Sequence, residues 1–107
     1  MAREIGLKLR LINSRPILKM PAKLVRSEFK ARFGSIPYVV NDDTSFWLMA
    51  DSSSSLRRKY KTLRDLSRAL ATTGQYGGNY FESLSERFRV SAEAMTIRLE
   101  ELELLKF

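Results

Sequence analysis

The chain has 107 residues, a formal net charge of +7, and neither His nor Cys. Those two absences remove the commonest zinc ligands, the most versatile general base and any thiol nucleophile. The expectation is a protein that is not an enzyme and needs no metal or cofactor. Hydrophobic residues make up 44% of the chain, enough for the core of one domain over 1–107 without disulfide staples.

Ile5-Gly-Leu7-Lys-Leu9-Arg-Leu11 alternates apolar residues with small or basic ones, the period of a half-buried strand. Lys8 and Arg10 interrupt the apolar run, which argues against a signal peptide. No stretch approaches the ~20 apolar residues of a membrane span. With no Cys, the expected compartment is the cytoplasm. Asn13 to Pro16 reads as a turn.

Pro21 suits the first turn of a helix running to Phe33, and Gly34 suits its left-handed stop. Val25, Phe29 and Phe33 recur every four residues and mark its core face. Lys23, Arg26 and Lys30 form a basic stripe on the same helix. The bulky segments 36–40 and 46–50 are β-prone, and Asn41-Asp42-Asp43 between them predicts a hairpin. Ser52 to Ser55 is either a loop or a helix lead-in.

The spacing of Leu56, Tyr60, Leu63, Leu66 and Leu70 predicts one helix over 56–71. Arg57, Lys61, Arg64 and Arg68 fall on one side of it as a continuous cationic strip. Residues 72–78 break the pattern. Asn79 with Glu82 has capping-box character, and Phe81, Leu84 and Phe88 follow at helical spacing. Arg89-Val90 makes a tight link to Ser91, a good N-cap. Met95, Leu99 and Leu102 mark the buried face of the last helix. The two short helices read as a helix-turn-helix over 79–105, in which Ser91, Thr96 and Arg98 are the candidate DNA-facing residues. The expected fold is α+β. It is mainly helical, with a two- or three-stranded sheet, a strand-helix-hairpin portion at 1–55 and a helical portion at 56–107.

The segment Leu84-Ser-Glu-Arg-Phe-Arg-Val-Ser-Ala-Glu-Ala-Met-Thr-Ile-Arg-Leu-Glu-Glu-Leu-Glu-Leu-Leu105 resembles the C-terminal part of the ImmA/IrrE family. These are zinc-dependent endopeptidases linked to phage and mobile-element regulators and to stress responses. Ile17-Leu-Lys-Met-Pro21 resembles the apolar-Met-Pro step that follows the family's third metal ligand. The two blocks cover under half the chain. The His-Glu-x-x-His helix has no counterpart, since there is no His, and Glu103 stands where the family often has Gly. The resemblance therefore implies a tail scaffold and carries over no catalytic or metal-binding residue.

Charge is segregated along the chain. Residues 1–32 carry nine Lys/Arg and two acids, and residues 56–78 carry six Lys/Arg and one acid. Residues 79–107 are net acidic, with six Glu against four bases. Such clustering is the footprint of an anionic partner. The lead expectation is a regulatory module that binds nucleic acid, DNA rather than RNA, through Arg57, Lys61, Arg64 and Arg68, helped by Arg26 and Lys30. Glu93, Glu100 and Glu101 weaken the case for base reading by the last helix, because carboxylates repel phosphate. Two alternatives remain at this stage. One is a phage- or mobile-element-derived module docking on an acidic protein. The other is a catalytically incomplete fragment of an ImmA/IrrE-like protease. Asp42, Asp43 and Asp51 lack the spacing of a metal loop. Tyr38, Phe46, Trp47 and Tyr80 are either core residues or stacking surfaces for bases.

Overall fold

A computed structural model describes residues 20–107. The strand expected over 5–11 and the turn at 13–16 lie outside these residues. Helix α1 (Ala22–Phe33) begins after Pro21, whose missing N–H would be unbonded in a first turn anyway. It ends at Gly34, which takes φ +87° and donates its N–H to the Lys30 carbonyl at 2.8 Å. Val25, Phe29 and Phe33 are buried, as their spacing predicts.

The expected 36–40/46–50 hairpin does not form. Strand β1 (Tyr38–Val39) instead runs parallel to the C-terminal strand β4 (Leu105–Lys106), with Tyr38 opposite Leu105 and Val39 opposite Lys106. Residues 46 and 47 belong to helix α2 (Asp42–Trp47). The cause is local. The Asn41 side chain accepts from the Thr44 N–H and the Thr44 hydroxyl accepts from the Asn41 N–H, each at 2.9 Å. That reciprocal cap closes a helix start and overrides the β propensity of Phe46 and Trp47.

The helix expected over 56–71 is two helices, α3 (Ser53–Lys59) and α4 (Leu63–Thr72). Tyr60 leaves helical geometry at φ −119°, ψ 94°. Thr62 then opens α4 by accepting the Asp65 N–H at 3.1 Å. Ser52 caps α3, so the serine run is a helix lead-in. Leu56, Leu66 and Leu70 are buried, while Leu63 is exposed.

Strands β2 (Gln75–Tyr76) and β3 (Asn79–Tyr80) form an antiparallel hairpin closed by Gly77-Gly78 at φ +60° and +86°. Two positive φ values in a two-residue turn match the twist of a hairpin and demand glycine. Asn79 is therefore a strand residue and not a cap. The capping box of helix α5 (Leu84–Arg87) belongs to Ser83 and Glu86. Phe88 and Arg89, the latter at φ +55°, turn the chain toward helix α6 (Ala92–Glu101), capped by Ser91 as expected. Glu103, also at φ +55°, ends α6, with the Leu104 N–H bonded back to the Leu99 carbonyl. This six-to-one closure normally uses glycine at the left-handed position.

The described chain is thus mainly helical with two small two-stranded sheets. One hydrophobic cluster runs through it, from Met20 and α1 to Leu105. Leu66, Ser67, Leu70 and Ala71 of α4 are buried, as are Met95, Thr96 and Leu99 of α6, which lies alongside it. An aromatic group of Phe29, Phe33, Tyr38, Tyr76 and Phe81 fills the space between α1 and the two sheets, with neighbouring ring centres 4.9–6.4 Å apart. No helix among the described residues is long and apolar enough to cross a membrane.

Candidate nucleic-acid interface

The helix break changes what the basic residues can do. Arg57 lies on α3, Lys61 in the connection, and Arg64 and Arg68 on α4, so they do not form one continuous strip. Arg64 is committed to Glu100 of α6 through two hydrogen bonds of 2.5 and 3.0 Å. Glu100 holds the guanidinium in its charged form, raising its pKa. Arg57 donates to the Phe107 carbonyl at 3.0 Å and lies over the Phe107 ring. Lys61 and Arg68 are exposed and make no ion pair among the described residues.

In place of a strip there is a basic elbow. Arg57, Arg58, Lys59 and Lys61 crowd the end of α3 and the connection to α4, all exposed and none ion-paired among the described residues. Arg58 and Lys59 escaped the sequence reading because an unbroken helix would have turned them off the strip. An open groove of about 620 Å³ lies beside the elbow. Lys59 and Arg68 line it with Asp65, while Tyr60, Thr73 and Gln75 add polar atoms.

Arg26 and Lys30 sit one turn apart on the exposed side of α1, with no ion pair among the described residues. No hydrogen bond joins them to the elbow. The one acid of α1, Glu28, is engaged elsewhere. Glu28 pairs with Arg32 at 2.7 Å and with Arg87 at 3.1 Å, and the Arg32 hydrogen bond, foremost, holds its carboxyl below the ordinary value. Arg32 also donates twice to the Glu82 carbonyl, at 2.9 and 2.8 Å, fastening α1 to the entrance of α5.

The three residues expected to face DNA from the helix-turn-helix do structural work. Thr96 is fully buried and its hydroxyl donates to the Ala92 carbonyl at 2.6 Å. Arg98 is bound to the Met20 carbonyl at 3.1 Å and to Glu101 at 3.3 Å. The Ser91 hydroxyl is taken by the Ala94 N–H at 3.0 Å. Glu93 and Glu101 line a groove of about 450 Å³ on the outer side of α6, where they repel phosphate. The corner α5–α6 exists, and the groove along α6 holds Glu93 together with the Arg98–Glu101 pair.

Asp42 and Asp43 occupy the first turn of α2, and the Asp42 carboxylate accepts the Ser53 N–H at 2.8 Å. Among the described residues no three His, Cys, Asp or Glu side chains are grouped to hold a metal ion. Tyr38 is buried; its hydroxyl donates to the Thr44 carbonyl at 3.1 Å, and burial pushes its pKa up to about 12. Phe46, Trp47 and Tyr80 remain accessible. Comparison with protein-family models, curated proteins and solved structures finds no match.

Proposed function

We propose that this protein is a non-catalytic regulatory module of the cytoplasm that binds DNA through the α3–α4 elbow. The carrying observation is the set of exposed cations Arg58, Lys59, Lys61 and Arg68, none of them ion-paired among the described residues, with Arg57 beside them. Cations without carboxylate partners can release phosphate counterions when DNA arrives. Arg26 and Lys30 supply a secondary contact. Arg64 serves the α4–α6 interface, not the ligand. The likeness of residues 84–105 to the ImmA/IrrE tail supports a regulatory setting derived from phage or mobile elements.

The test is a mobility shift on duplex DNA across a salt series. Each phosphate neutralised contributes a slope of about −0.9 in log affinity against log salt. Lys61→Ala and Arg68→Ala should each flatten the slope by about one unit, and Arg64→Ala should leave it unchanged. Affinity that does not respond to salt rules this reading out. A pull-down partner that survives nuclease and is lost in the same Lys61 and Arg68 variants would instead assign the elbow to an acidic protein surface.

A further inference from the structure

We propose that the exposed aromatic shelf on α2 is a stacking platform for the bases of an unpaired nucleic-acid strand, whose phosphates follow the elbow groove. The inference rests on the elbow being a nucleic-acid surface and names which form of nucleic acid it takes. Phe46 is 68% exposed, Met49 75% and Trp47 43%. Large apolar side chains grouped on a small domain mark a contact surface. Together with Gly77 and Gly78 they line an open groove of about 490 Å³.

Three features favour bases over a generic apolar partner. First, the shelf adjoins the cationic groove directly, because Met49 lines both. Lys59 and Arg68 therefore line a groove that opens onto the aromatic rings. Asp65, one turn from Arg68 on α4, lies in the same groove, and Asp51 lies in the shelf groove. Second, Trp47 is held firmly. Its carbonyl accepts the Gly77 N–H at 3.0 Å, and its ring meets Tyr76 edge-on at 5.7 Å. A Cβ on Gly77 would lie 3.6 Å from the indole, so the turn backbone packs against one part of the ring and leaves the rest to solvent. A pre-positioned ring loses little freedom when a base stacks on it. Third, stacking uses the face of a base, which a duplex hides and a single strand offers. A basic groove beside aromatic faces is the arrangement that binds single strands with little sequence preference.

Trp47 is the only tryptophan in the chain, so its emission reports on the shelf directly. The full-length protein would be titrated with oligothymidylate of about 12 nucleotides and with a duplex of similar length. Emission and the anisotropy of labelled nucleic acid would be followed together. The expected result is saturable quenching by the single strand and none by the duplex. Phe46→Ala, at an exposed position, should weaken single-strand binding about tenfold while duplex binding changes less than twofold. Lys59→Glu with Arg68→Glu should weaken both. Equal quenching by the duplex, or unchanged single-strand affinity in Phe46→Ala, overturns the platform. If duplex binding stays salt-dependent in that case, the elbow reading survives without it. If neither nucleic acid binds at low salt, both readings fall.

Discussion

Replacing Glu28 by Gln tests the clamp that fastens α1 to α5. The carboxylate bridges Arg32, whose side chain is 9% exposed, and Arg87, which is 43% exposed. The two halves are not equivalent. The Arg87 pair is wet, and such pairs contribute only a few tenths of a kcal/mol. The Arg32 pair is partly buried, with Glu28 itself 22% exposed, and a charge-assisted hydrogen bond there is worth about 1–1.5 kcal/mol. Gln keeps the length and one acceptor oxygen, so the cost should be about 1–2 kcal/mol at pH 7, a fall in Tm of roughly 5–10 °C. The pH dependence has a fixed sign. The folded carboxyl titrates below its ordinary value of 4.5, with the Arg32 hydrogen bond the largest cause. Its contribution is therefore present in full above that value and disappears as pH falls through the lower, folded one. Denaturant unfolding of wild type and Glu28→Gln at pH 7 and near pH 3 should show the gap closing in acid. A gap of equal size at both pH values, or none at pH 7, refutes the argument. Arg87→Gln is the control and should cost no more than about 0.5 kcal/mol.

Other predictions follow from single positions. Glu103 holds a left-handed φ of +55°, and Glu103→Gly should stabilise by roughly 0.5–1 kcal/mol in denaturant unfolding. Leu99→Ala, at a fully buried site on the α4-facing side of α6, should cost about 2–5 kcal/mol and sharply lower the thermal midpoint. Arg64→Ala should leave the thermal midpoint almost unchanged, since its side chain is half exposed and its ion pair is screened by solvent.

What the sequence displayed and what it hid follow from how local each signal is. Helix α1 was legible from Pro21, Gly34 and the Val25–Phe29–Phe33 spacing because start, stop and buried face agree. The Ser91 cap and the buried Met95 and Leu99 were legible for the same reason. Errors arose where two local signals competed. At 41–50, the β propensity of Phe46 and Trp47 points to a strand, whereas the Asn41–Thr44 cap starts a helix in the fold. At 79–86, Asn79 with Glu82 suggests a capping box, but the one that forms is Ser83 with Glu86. Gly77-Gly78 between Tyr76 and Asn79 was the hairpin signal that would have decided it. The break at Tyr60 was concealed because Leu56 and Leu66 stay buried on either side of it. The candidate interface was legible as a concentration of charge but not as a surface. Nothing in residue order shows that Arg64 meets Glu100 across 36 positions, or that Arg98 is spent on the Met20 carbonyl.

The parallel pairing of Tyr38 with Leu105 also bears on how the protein is made. Synthesis releases Phe29, Phe33 and Tyr38 long before Leu104 and Leu105 exist, and the Tyr38 N–H bonds to the Leu104 carbonyl. Until Leu104 and Leu105 leave the ribosome, the aromatic cluster lacks the strand that pairs with Tyr38. A nascent chain stalled before codon 104 should therefore be caught by chaperones that seek bare aromatic surface.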